Sequence, residues 1–339
     1  MSEVSIKNQK QIIPTYVPKK AHELPMFFEN KPYQGASGRV YPIPYCDGIS
    51  DEKTDVEYDV YTLENEYIKT QVVPALGGKI LRGLDKVGNH DFIYYNEVVK
   101  PALVGLAGPW ISGGIEFNWP QHHRPTTYMP LEAVEENNPD GGKTVWTGEV
   151  EPFGRMKGMA GITVDKGRSY IKAKVRVYNR TAFPQVFMWW ANLAVPVNDD
   201  YRTVFPPDCE WVNDHDRRAV LEWPIAKGVY KTARPYNFGN GTDLSHYSAV
   251  KVPSSYLISQ GQSDMDFIAG YDTGINKGIA TVANHHISPG KKMWHWGIGD
   301  FGDMWCSNLT DKNGPYIELM TGVYTDNQPD FTWIAPYET

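Results

Sequence analysis

Residues 170–177 set Ile171, Ala173, Val175 and Val177 in alternation with Lys172, Lys174 and Arg176. A two-residue period puts the two sets on opposite sides of an extended strand, so this stretch predicts a half-buried strand with one wet face. Residues 67–73, 78–84, 143–150 and 316–323 read the same way. Turn clusters separate them, among them Asn138-Pro139-Asp140-Gly141-Gly142 and Asp311-Lys312-Asn313-Gly314. The run VFMWWANLAVPV at 186–197 is apolar except for Asn192, rich in β-branched and aromatic residues and close to prolines, and predicts a buried strand. No segment keeps a helical spacing beyond about two turns. The expected fold is therefore all-β: one large, mostly antiparallel domain over residues 51–339, preceded by a Pro-rich, irregular extension over residues 1–50. The sequence has 339 residues. A globular chain of about 300 residues buries roughly 75% of its unfolded surface and needs no staple.

Charge and composition narrow the function classes. Thirty-three Lys and Arg stand against forty Asp and Glu, a net charge of −7, and no basic block occurs. Nucleic-acid phosphates and anionic membrane surfaces are therefore not expected partners. No run of about 18 apolar residues predicts a membrane span, and the N-terminus lacks the apolar core of a secretion signal. Cys46, Cys209 and Cys306 are odd in number and far apart, which suits reduced thiols and a cytoplasmic location. Eleven Trp and twenty-one Tyr are enough to fill a core and also to line a cleft that stacks on flat ligand faces.

The densest set of functional groups is WISGGIEFNWPQHHRPTT at 110–127. Gly113-Gly114 would let backbone approach a ligand closely. Trp110 and Trp119 offer stacking surfaces, Glu116 acid–base chemistry, and His122, His123 and Arg124 hydroxyl ligands. Adjacent histidines on extended backbone face opposite ways, so one of the pair at most would face a pocket. The alternative is a loop whose polar groups satisfy one another. The second dense segment is residues 314–336. Alternation places Tyr316, Glu318 and Met320 on one face, where Glu318 is either solvent-facing or buried, and burial would suit it to proton transfer near neutrality. Asp326, Asn327, Gln328 and Asp330 follow, fit either for hydroxyl binding or for turn formation. Asn192 would be a buried amide needing partners from protein or ligand.

Residues 293–305, MWHWGIGDFGDMW, add His295, Trp296 and the spacing Gly297-x-Gly299-x-x-Gly302. A dinucleotide site would need a following helix within a βαβ unit; the sequence after Asp303 reads as a turn, so no nucleotide cofactor is expected. The His122-His123 and His285-His286 pairs lack the spacing that puts two imidazoles on one side, so no metal site is assigned.

Several motifs resemble known proteins. YIKTQVVPALGGKILRGLD at 67–85, with its Pro-x-x-Gly-Gly turn, and the stretch 170–196 containing VYNRT resemble the galactose-mutarotase-like superfamily. LENEYI at 63–68, the 110–127 segment, FPPD at 205–208, LTDKNGPYIELMTGVYTDNQPDF from Leu309 and the terminal WIAPYE are similar, over nearly the whole chain, to an uncharacterised bacterial domain family often found N-terminal to tetratricopeptide repeats. The resemblance implies an antiparallel two-sheet β-supersandwich with a carbohydrate-facing surface. It also leads one to expect a closing strand and helical repeats where the chain stops at Thr339. Aldose epimerases of the superfamily use a glutamate base and a histidine acid; Glu318 lies where the base is expected, whereas Trp189-Trp190-Ala191-Asn192 stands where the histidine would follow.

These readings lead to a carbohydrate-active enzyme. The first form is a glycoside hydrolase with Glu116 and Glu318 as its carboxylate pair, assisted by His123. Trp110, Trp119, Trp190 and Trp296 would stack on sugar rings; His122, Arg124, Asn192, His295 and Asp326 would bind hydroxyls. The alternatives are an epimerase or mutarotase with Glu318 as base and a relocated acid, and a non-catalytic carbohydrate-binding or scaffold domain. The expected ligand is carbohydrate in each case, and self-association is compatible with the sequence.

Overall fold

The computed structural model describes residues 3–23, 43–120, 123–214, 219–230, 236–258, 261–323 and 332–339. As expected, antiparallel strands dominate. The chain forms two compact units, Met1–Met188 with Phe331–Thr339, and Trp189–Asp330.

In the first unit, β1 (Ser5–Pro18), β2 (Ile49–Glu64), β3 (Ile68–Val73), β4 (Lys79–Asp85) and β6 (Ile115–Asn118) lie in that order in one sheet, with β5 (His90–Ile93) also on β4. Strand β1 pairs along most of its length with β2, from Ser5 opposite Glu64 to Pro18 opposite Ile49. Its exposed stretch, residues 7–10, is polar, and its Ile13 enters a core with Tyr58, Val60, Val73, Leu76, Leu81, Val99 and Ile111. Each such side chain contributes roughly 1.5–3 kcal/mol by leaving water. A second sheet orders β10 (Ile171–Tyr178), β9 (Lys157–Val164), β8 (Lys143–Val150) and β7 (Glu132–Asn137). The predicted turn at 138–142 joins β7 to β8, closed by Gly141 N–H donating to the Asn138 carbonyl at 3.0 Å.

Two motif asparagines act as staples in this unit. Asn65 Oδ1 accepts from the Tyr67 and Ile68 N–H groups at 2.8 and 2.9 Å. Its Nδ2 donates to the Asp165 and Arg168 carbonyls at 2.8 and 2.7 Å, tying the β2–β3 turn to the β9–β10 turn. Asn179 does the same for the C-terminal segment, donating to the carbonyls of Phe183 at 2.8 Å and Ala335 at 2.9 Å. Each partner left unsatisfied in a buried place costs about 1–3 kcal/mol. Asn65→Ala is therefore expected to lower stability by about 2–4 kcal/mol, read as a shifted urea midpoint. Asn65→Asp, which sets a carboxylate oxygen against the two carbonyls, should be no more stable than Asn65→Ala.

The second unit is a sheet of β11 (Trp190–Pro196), β16 (Tyr316–Gly322), β15 (Gly290–His295), β14 (Ser254–Ile258), β12 (Trp211–Asp214) and β13 (Val220–Glu222), in that spatial order. A three-stranded sheet of Tyr201–Val204, Phe267–Asp272 and Lys277–Val282 accompanies it.

The structure corrects three local expectations. Within the extension read as irregular, residues 5–18 form strand β1, paired with β2. The apolar run at 186–197 is not one strand: Gln185–Phe187 pairs with Thr332–Ile334, and the chain changes partners before β11 pairs with β16. Hydrophobicity runs through both pieces, of which the first is only half-buried, and cannot mark where the partner changes. The segment after Gly299 is a helix, α1 (Asp300–Leu309), rather than a turn. Asp300 and Asp303 in its first turn favour the helix dipole. Gly302 hides it from pattern reading, since glycine weakens helices, yet only glycine fits: a Cβ there would collide with the Gly297 carbonyl oxygen. Even with its helix, the Gly297-x-Gly299-x-x-Gly302 spacing is no dinucleotide site, because β15 before it pairs antiparallel with both neighbours.

Candidate functional site

The first unit gathers Trp110, Glu116, Trp119, His123 and Arg124, all buried. Strand β6 carries Glu116 inward. Glu116 accepts from Trp110 Nε1 at 2.8 Å and Thr127 Oγ1 at 2.9 Å, with His123 Nδ1 at 3.4 Å. Burial works against its charge, but His123, Lys79 and the Trp110 N–H outweigh it and hold the carboxyl at about 2. Lys79 is itself anchored on the Ile111 and Gly113 carbonyls at 2.8 and 2.5 Å. Arg124 donates to the Gly77 carbonyl at 2.6 Å, and its Nε lies 3.2 Å from Glu149 Oε1, an ion pair without hydrogen-bond alignment.

The aromatic groups of this cluster face protein. Trp119 is packed against Gly158, where a Cβ would run into the indole, and Trp110 lies 5.0 Å from the His123 ring. Gly113 and Gly114 both have positive φ, and the close approach at Gly114 is to the Ile80 carbonyl of the protein itself. The cluster is thus a buried ionic network in which Glu116 is satisfied from within the protein, while Arg124 Nε and Asn118 Nδ2 meet no acceptor among the described residues.

The second unit presents a different arrangement. Register places Ala194 and Trp294 opposite Glu318, and Asn192 and Lys292 opposite Met320. Trp190 lies opposite Gly322, and Ser255 on β14 opposite Trp294. Directly paired residues share a sheet face, so Trp190, Asn192, Ser255, Lys292, Trp294, Tyr316 and Glu318 occupy one side. The other side carries Leu193, Val195, Met293, Ile317 and Leu319, all buried apolar core.

On the polar face Asn192 Nδ2 donates to Glu318 Oε2 at 3.3 Å. That bond fixes the amide orientation, because an ionised carboxylate only accepts. Asn192 Oδ1 then points away and, among the described residues, meets no donor; Ser255 Oγ likewise has no partner among them. Lys292 Nζ stands 4.7 Å from the centre of the Trp190 ring, a cation–π contact. Burial presses the Lys292 ammonium down to about 8, with the Glu318 charge opposing. Trp296 extends the aromatic wall, 5.3 Å from Trp294 and 6.1 Å from Tyr316 between ring centres, and stacks on Trp305 of α1.

His295 belongs to the opposite face, paired with Ile317. Its Nδ1 accepts from Gly297 N–H at 2.7 Å and its Nε2–H donates to the Tyr247 carbonyl at 2.9 Å, so both nitrogens serve the fold. His122 and Asp326 lie outside the described residues. Lys292, Ser255 and Trp294 were not singled out from sequence, although the alternation in KKMWHW puts Lys292 and Trp294 on one face. Among the described residues no group of three His, Cys, Asp or Glu side chains could hold a metal ion. None of the described helices is long and apolar enough to cross a membrane.

The sequence profile of a domain of unknown function, DUF5107, matches residues 36–336. The chain belongs to the DUF5107 family. A TPR-domain containing protein from Parabacteroides distasonis has a similar structure, with a TM-score of 0.84 at 23% identity. That match covers 99% of this DUF5107 chain and 54% of the other, so the chain spans about half the length of that protein. A galactose mutarotase-like protein from Clostridium acetobutylicum matches with a TM-score of 0.54 at 10% identity, covering 83% of this chain and 92% of its own. Another from Lactobacillus casei matches at 0.50 and 12% identity, covering 81% and 95%. The DUF5107 fold is accordingly galactose mutarotase-like, and at these identities the likeness speaks for the fold.

Proposed function

We propose that this domain acts on free aldoses by proton transfer, as an epimerase or mutarotase-type enzyme, with Glu318 as the base. One observation carries the reading: Glu318 and Asn192 are buried side by side on an aromatic face, and Asn192 keeps an acceptor that no described residue satisfies. Two adjacent acceptors ask for a ligand rich in O–H donors, and flat aromatic walls suit sugar rings. Opening the ring requires a base at the anomeric hydroxyl, which a buried carboxylate supplies. The hydrolase reading with Glu116 as the acid is weaker, since a carboxyl held at about 2 has no proton to give a leaving group near neutrality. Three free cysteines favour a reducing compartment such as the cytoplasm.

Proton NMR of anomer exchange across a panel of free aldoses tests this. The wild-type protein should speed exchange of at least one aldose, and Glu318→Gln should slow it by about a hundredfold. Saturation transfer to a sugar without any acceleration of exchange would instead make this a binding domain.

A further inference from the structure

We propose that Lys292 is the proton donor that works with Glu318 in this site, an inference that rests on the aldose reading above. The two residues sit on neighbouring strands of one sheet face. Glu318 pairs with Trp294 and Lys292 with Met320, which makes them diagonal neighbours. Such neighbours lie about 7–8 Å apart at the backbone, within reach of long side chains.

Lysine is an unusual choice for so buried a place. Lys292 is 3% exposed, and a desolvated cation is costly. Trp190 holds the ammonium over its ring face, and Gly322 makes room for that indole, since a Cβ there would strike it. Among the described residues, the strands flanking Lys292 bring few ionisable groups to its face. Strand β16 brings Glu318 and Tyr316; β11 brings Trp190, Asn192 and Ala194; β14 brings Ser255 and Leu257. Burial therefore dominates and brings the ammonium towards the pH at which it can give up and recover a proton during turnover, at about 8.

The chemistry balances without any further reactant. Glu318 takes the proton from the anomeric hydroxyl as its oxygen forms the carbonyl, the bond between the anomeric carbon and the ring oxygen breaks, and Lys292 protonates that ring oxygen. Rotation of the open-chain aldehyde and the reverse steps return both protons and yield the other anomer.

The decisive comparison is between wild type, Lys292→Arg, Lys292→Met and Glu318→Gln in the anomer-exchange assay, each measured from pH 6 to pH 10. Arginine preserves the charge and the contact with Trp190 but cannot release a proton in this range. Lys292→Arg and Lys292→Met should both lose about a hundredfold in kcat, and the fall of wild-type kcat above about pH 8 should vanish in them. Sugar saturation transfer to Lys292→Arg should stay within a few-fold of wild type. A Lys292→Arg protein with wild-type kcat and an unchanged alkaline limb would overturn the assignment and leave Lys292 as a charge that merely positions Glu318. Loss of activity in Glu318→Gln alone would confine the failure to Lys292. Absence of exchange by the wild type with every aldose would remove the aldose reading and the proton donor together.

Discussion

Glu116→Ala is expected to cost about 3–5 kcal/mol of stability at pH 7, the range for breaking a buried ionic cluster by removing one member. The substitution strands the Trp110 N–H and the Thr127 hydroxyl, and it takes the counter-charge from Lys79 and His123. A carboxyl held at about 2 rather than near 4.5 stabilises the folded state by about 3 kcal/mol, fully present above pH 4.5 and lost as pH falls towards 2. The gap between wild type and variant in urea midpoints should therefore shrink below pH 4.5. A companion change, Glu116→Gln with Lys79→Met, removes both charges and should recover part of the loss. Under the function proposed here the folded fraction of Glu116→Gln should still exchange anomers at close to the wild-type rate. A stable Glu116→Gln protein with exchange lost would instead return Glu116 to the chemistry.

The same segment shows how far sequence can be read. Period-2 alternation placed β3, β4, β8, β10 and β16 within a residue or two, although β16 is buried on both faces, so the alternation marks its extended backbone and not a wet side. Chemical density was a poorer guide. Residues 110–127 crowd charges and aromatics because a buried carboxylate needs several donors within reach, and that demand concentrates the same residue types as a ligand pocket would. Asn192 was legible as a buried amide in an apolar strand, whereas alternation left Glu318 open between a solvent-facing and a buried place, and the structure buries it. Lys292 was not, since a lysine in a basic pair reads as solvent-facing. Its burial follows from register between strands β15 and β16, a long-range property that no local pattern carries. The helix after Gly299 was hidden for a related reason: Gly302 answers a tertiary contact at the expense of local propensity.

His295 should make the protein sensitive to mild acid in a window distinct from that of Glu116. Burial holds the imidazole down at about 4 against an ordinary value near 6.5, with the Tyr247 carbonyl opposing. The sign follows from proton counts. Below pH 6.5 the unfolded chain takes up a proton that the folded one refuses, so stability present above pH 6.5 is lost progressively as pH falls towards 4. The loss amounts to about 3 kcal/mol by pH 4. The geometry explains the refusal, because protonation at Nδ1 would set a donor against the Gly297 N–H, 2.7 Å away. His295→Gln should be less stable at pH 7, by about 1–3 kcal/mol for the disrupted hydrogen bonds. It should also flatten the slope of urea midpoint against pH between 6.5 and 4, so that wild type and variant converge on acidification. Retention of the full slope in His295→Gln would place the acid-sensitive group elsewhere. Since Glu116 contributes only below pH 4.5, the upper half of the window isolates the imidazole, and Gly297, at the entry to α1, is the backbone position through which its protonation would first be felt.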